Sequence, residues 1–217
     1  MKIRTLVKSI LLIPLFIGAV VFLLSYLYAM SENNNFEANR KKSLLNCEQL
    51  PLHCLIREGD EAGINAYVQS KANIELKDGW GRSALFWAIK KEKLEYVDIL
   101  LAAGADPNAR DEQGKRVLLV AITSGFTKVA DKLITYGADV NGLTDIYSKQ
   151  GLLHYCVHRN GERCVVYLLE NGADITIKDG YGFTVIERVE MNNSISDNIR
   201  TLIRGAAKAQ IAPNVDE

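Results

Sequence analysis

The sequence has no excess of charge of either sign: 26 Lys plus Arg face 26 Asp plus Glu. A dedicated nucleic-acid binder normally carries a basic surplus, so that class is disfavoured. Cysteine is scarce. Four residues are too few for a disulfide scaffold, and their spacing does not fit common zinc sites. The sequence also lacks Gly-x-Ser-x-Gly, a phosphate loop and a dinucleotide fingerprint, which removes the most recognisable enzyme signatures. Apolar residues are not scarce. With 48 % hydrophobic and 24 % charged residues, the chain can bury a core, and wholesale disorder is excluded. A length of 217 residues suits one ordinary domain with an appendage.

The appendage lies at the start. Lys2, Arg4 and Lys8 precede a run from Ser9 to Met30 without a single charge. As a helix this run would be roughly 33 Å long, against a hydrocarbon core of roughly 30 Å. Its length favours an uncleaved membrane anchor over residues 9–30, behind a basic tail at 1–8. Signal-peptide apolar regions are shorter, although Ala29-Met30-Ser31 offers a small-residue cleavage site. The basic residues against the span favour a cytoplasmic N-terminus, with Arg40, Lys41 and Lys42 counting the other way. The expected location is therefore an inner membrane crossed once, with the folded part on the periplasmic side. Residues 31–43, which include Asn33, Asn34 and Asn35, read as a polar linker.

The rest of the chain repeats itself. Leu52, Leu85 and Leu118 are 33 residues apart; Leu153 follows after 35 and Ile186 after 33. Gly104-Ala105, Gly137-Ala138 and Gly172-Ala173 keep the same intervals, as do Leu100-Leu101, Leu133-Ile134 and Leu168-Leu169. Within one unit, Leu85 and Ala88 mark the inner face of a short helix. Leu94, Val97, Leu100 and Leu101 trace the stripe of a second, and Gly104 ends it. A single pair of this kind cannot bury its stripe, so the units must stack.

These residues resemble the ankyrin repeat, with its Thr-Pro-Leu-His element and its Gly-Ala-Asp-x-Asn close. No unit keeps the whole first element; Pro51-Leu52-His53, Ser83-Ala84-Leu85 and Leu153-His154 come nearest, while Asp106-Pro107-Asn108 and Asp139-Val140-Asn141 carry the close. The resemblance implies an all-α solenoid of about five helix-turn-helix units over residues 44–206. The approximate units are 44–76, 77–109, 110–142, 143–177 and 178–206, followed by a tail at 207–217. It also implies a non-enzymatic protein binder whose connectors form fingertips along a concave face. On that face the expected partner-binding residues are Trp80 and Arg82 at one tip and Glu112 and Gln113 at the next. Ile146 and Tyr147 belong to a connector two residues longer than the others, and Tyr181 and Phe183 to the last tip. Lys90, Lys91, His158 and Arg159 would form a second row at the ends of the short helices.

His154 and His158 stand i, i+4 with Cys156 between them. The repeat pattern assigns His154 and Cys156 to structural positions, so no metal and no cofactor is expected. Cys156 and Cys164 would face each other across one unit, and Cys47 and Cys54 flank the entry to the first. Two local disulfides suit an oxidising compartment, whereas buried free thiols suit a cytoplasmic one. The whole layout looks like small bacterial envelope ankyrin proteins. Some of these are immunity proteins that neutralise periplasm-acting type VI secreted toxins, lipases among them. The alternatives are a scaffold or chaperone-like partner of a resident enzyme, for example in peroxide defence, and a cytoplasmic-facing membrane adaptor.

Overall fold

A computed structural model describes residues 47–144 and 149–211. The basic tail, the apolar run 9–30, the linker 31–43 and the insert residues Ile146 and Tyr147 lie outside them. Among the described residues, no helix is long and apolar enough to cross a membrane.

Among the described residues, ten helices form five antiparallel pairs: α1 (Pro51–Glu58) with α2 (Glu61–Gln69), α3 (Ala84–Lys90) with α4 (Leu94–Ala102), α5 (Val117–Thr123) with α6 (Thr127–Thr135), α7 (Leu152–His158) with α8 (Glu162–Glu170), and α9 (Val185–Met191) with α10 (Asp197–Ile211). Odd-numbered helices form an inner layer and even-numbered helices an outer one. Isolated antiparallel bridges, Arg110 to Arg116, Leu143 to Gly151 and Lys178 to Thr184, close three connector stems.

The periodic leucines are the core. Leu100, Leu133, Leu168 and Ile203 occupy the same outer-helix position in successive units, and all are completely buried. Each such side chain contributes about 2 kcal/mol of burial. Local devices set the helix ends. Pro51 opens α1, where a missing N–H costs nothing. The Asp60 carboxylate accepts from the Gly63 amide to cap α2. A Cβ on Gly63 would meet Leu55 and Asp60 at 2.6 Å and 2.4 Å, which explains the missing side chain in this unit. Thr184 and Glu187 form a reciprocal capping box at α9. The bonds from Thr184 hold the Glu187 carboxyl below its usual range.

The last helix corrects the boundary read from the sequence. α10 continues to Ile211, into the residues assigned to a tail. Gln210 accounts for the extension: its amide donates to the Ala173 carbonyl and accepts from the Ile175 amide, tying the extra turn to the fourth unit. The cysteines meet in two pairs, Cys47 with Cys54 and Cys156 with Cys164, at Cα separations of 5.6 Å and 5.7 Å. Both distances are ordinary for disulfides.

The joints between units are not alike. α1, α3 and α5 pack successively, as do α2, α4 and α6, and again α7 with α9 and α8 with α10. Between the third and fourth units this order breaks. There α5 approaches α8, while α5–α7 and α6–α8 make only slight contact. This is the joint that carries the longer connector. Its outer edge is bridged by the Tyr167 hydroxyl, which donates to Asp131 at 2.6 Å.

Candidate binding face

Each fingertip is built around a side chain at the start of its turn. At the first described tip, Asp78 is buried. Its Oδ1 accepts from the amides of Trp80 and Arg82 at 2.9 Å and 3.0 Å. Its Oδ2 accepts from Arg82 Nε at 2.8 Å and from the Trp87 indole at 2.9 Å. The Arg82 guanidinium lies 4.2 Å from the Trp80 ring centre and 4.9 Å from that of Trp87. Burial alone would raise the Asp78 pKa; the Arg82 and Trp87 bonds outweigh it and hold the carboxyl below its usual range.

The last tip repeats this chemistry 101 residues later. Asp179 Oδ1 accepts from the amides of Tyr181 and Phe183, and Oδ2 accepts from Arg188 Nε at 2.7 Å. The Arg188 guanidinium faces the Tyr181 and Phe183 rings at 5.3 Å and 4.5 Å. In the alignment of units, Phe183 stands where Arg82 stands, and Arg188 where Trp87 stands. Cation and ring have exchanged positions, and the cluster is preserved.

A histidine from the preceding unit supports each of these tips. His53 Nε2 donates to the Arg82 carbonyl at 2.9 Å, and His154 Nε2 to the Phe183 carbonyl at 3.0 Å. Burial depresses both histidine pKa values, with the backbone bonds partly opposing the shift. Among the described residues, no group of three or more His, Cys, Asp or Glu could hold a metal ion.

The middle tip is plainer. Asp111 accepts from the Gln113 and Lys115 amides, with no ring above it. It is joined to its neighbour through the backbone: the Glu112 amide donates to the Trp80 carbonyl at 2.8 Å. Gly81 permits that approach. It has φ +73°, and a Cβ there would lie 2.7 Å from the Glu112 nitrogen.

The residues expected at the interface fall into distinct environments. Tyr181 is 68 % exposed. Glu112, Gln113, Lys90, Lys91, His158 and Arg159 are also exposed. Trp80, Arg82 and Phe183 are half-buried parts of their clusters, so they are not free tips. Phe86 is buried, and Trp87 is half-buried with its indole on Asp78. Sequence reasoning missed Arg188 and Met191. Met191 is 63 % exposed. With Tyr181, His158 and Gln150 it lines a concavity of about 320 Å³ between the fourth and fifth units. The periodic pattern gave no signal for it, because Met191 ends an inner helix where other units carry polar residues.

The family pattern for ankyrin repeats matches the chain in three overlapping copies, at residues 18–111, 52–144 and 111–179. The chain is 27 % identical over 174 residues to the E3 ubiquitin-protein ligase KEG of Arabidopsis thaliana, covering 75 % of this chain and 11 % of that protein. It is 27 % identical over 175 residues to the B-cell lymphoma 3 protein homolog of Mus musculus, covering 80 % and 37 %. Over 91 residues it is 33 % identical to mouse Protein phosphatase 1 regulatory subunit 27, covering 42 % and 59 %. It thus spans less than two thirds of each of these relatives. Ankyrin repeats act as protein-binding modules, and fold and sequence pattern agree that this chain belongs to the ankyrin-repeat family.

Proposed function

We propose that the chain is a non-enzymatic binding module, tethered to the inner membrane through residues 9–30, whose fingertip face holds a protein partner on the periplasmic side. The observation that carries this reading is the last tip. Tyr181 and Met191 stand exposed beside a concavity on a turn already rigidified by Asp179 and Arg188. Exposed, pre-ordered apolar side chains make good interface anchors, because little side-chain freedom remains to be lost on binding. The buried titratable groups of this face, His53, His154, Asp78 and Asp179, are all engaged in structural hydrogen bonds. That supports binding over catalysis. Pairing of all four cysteines supports an oxidising compartment.

The specific role proposed is immunity: capture and occlusion of a periplasm-acting type VI secreted toxin, such as a lipase, at the membrane it attacks. Its support is the layout of basic tail, apolar run, polar linker and repeats. The experiment is affinity capture on the full chain from envelope and secreted fractions, read by mass spectrometry. Wild type is compared with Tyr181→Ala/Met191→Ala. Recovery of a secreted toxin, lost with the variant, is the expected result. A resident envelope enzyme would replace immunity by a scaffold role. Recovery only from cytosol would overturn the topology.

A further inference from the structure

We propose that the joint between the third and fourth units is itself a binding cleft, and that it takes an acidic segment of the protein partner. The inference rests on the protein-binding reading above and adds a second, separate contact.

The cleft follows from the break in stacking. At this joint a cavity of about 1120 Å³ opens between the end of α5, the start of α6, Tyr155 of α7 and the length of α8. Small-molecule pockets run to roughly 300–1,000 Å³, so this space suits a stretch of polypeptide better than a metabolite. Its wall is basic. Lys115, Arg159 and Arg163 line it, and none of the three has a carboxylate partner among the described ion pairs. Two acidic residues also border it. They are Glu162, which also accepts from the Asn198 side-chain amide at 3.3 Å, and Glu170. Three cations against two carboxylates leave one net positive charge, which favours an anionic occupant. The half-buried Tyr155 ring, 6.0 Å from the Arg159 guanidinium, offers an apolar floor. An Asp- or Glu-rich loop carrying one apolar residue would satisfy both features.

Residues 143–150 span this joint with two more residues than the equivalent connectors. The stem bond from the Thr144 amide to the Gln150 carbonyl is kept.

The test uses the full chain in a mild non-ionic detergent and a fluorescein-labelled dodecapeptide with eight Glu, three Ala and one Leu. A control peptide replaces every Glu with Gln. Anisotropy titrations at low salt should show the Glu peptide binding at least about tenfold more tightly than the control. Arg159→Glu/Arg163→Glu should remove that difference while leaving the melting temperature unchanged, since both side chains are exposed. Lys77→Glu/Lys208→Glu, two exposed lysines away from the cleft, should leave it intact. Equal binding of both peptides, no binding of either, or equal loss in the two charge-reversal variants would overturn the cleft. Failure of the protein-binding reading is separable: it would appear as loss of partner capture specificity at Tyr181 and Met191, which the peptide does not need.

Discussion

The tips at Asp78 and Asp179 differ in sequence and agree in structure, whereas the joints before and after the third unit show the reverse. Arg82 with Trp87 at the first tip, and Arg188 with Phe183 at the last, place one cation against one carboxylate and two rings. A column-by-column reading of the repeats sees one substitution at each of two positions; the fold sees one cluster. At the joints, α5 is as apolar as α3, yet α3 closes on α5 and α5 does not close on α7. The sequence difference at that joint is two extra connector residues. Unit chemistry is therefore local and transposable, while the closeness of stacking differs between joints whose helices are equally apolar.

The largest effect should come from the carboxylates. Asp78→Ala would strand Arg82, whose side chain is only 13 % exposed, and the Trp87 indole. The expected loss is about 3 kcal/mol in urea unfolding. Asp179→Ala should cost less, about 2 kcal/mol, because Arg188 is 34 % exposed and can rehydrate. Equal losses would mean that exposure does not set the difference.

The transposition can be performed directly. Arg82→Phe alone should cost about 2–3 kcal/mol, since it unpairs a buried carboxylate. Adding Trp87→Arg rebuilds the arrangement of the last tip and should recover about 1–2 kcal/mol of that loss in a double-mutant cycle. An additive cycle would show that the two clusters are not equivalent.

The outer edges of two joints offer a finer contrast. Tyr167→Phe removes the bond to Asp131 that bridges the open joint and should cost about 1 kcal/mol. Lys132→Met removes the ion pair with Asp98 at the closed joint, where both side chains are at least 40 % exposed, and should cost about 0.5 kcal/mol or less. Reversal of that order would argue that the two joints are held in the same way.

The smallest effect is the pH response of the tip-supporting histidines. Both have pKa values below the usual 6.5 in the folded state. The unfolded chain therefore takes up protons first, and stability is full above about pH 6.5 and falls as the pH drops below it. His53→Gln/His154→Gln should flatten that slope in thermal melts taken between pH 7 and pH 5. An unchanged slope would place its origin elsewhere. The Asp78 and Asp179 carboxyls, held below 3.8, add a further loss only at more acid pH.

Much of the fold was legible because the repeat is a burial pattern: Leu85, Leu100 and Gly104 do in one unit what Leu118, Leu133 and Gly137 do in the next. The structural role of His154 was readable from the same register. The binding face was less so. Trp80 and Arg82 looked like free tips because periodicity reports position, not the carboxylate beneath. Arg188 escaped notice because its aligned residues are Trp87 and Val120, which suggest no charge partner. Glu190 had no evident role in the sequence; its ion pair with Arg204, at 2.8 Å, joins residues that no spacing rule connects. The longer connector was visible, but the approach of α5 to α8 depends on three-dimensional stacking.

Native-state hydrogen exchange on the full chain tests the joint most directly. Repeat stacks open in units, and a poorly packed joint should divide them. The account predicts a step in amide opening free energy between Thr135 and Leu152, of about 1–2 kcal/mol, with α3 to α6 above it and α7 to α10 below. A single opening free energy across the whole stack, or a smooth decline toward both ends, would contradict it.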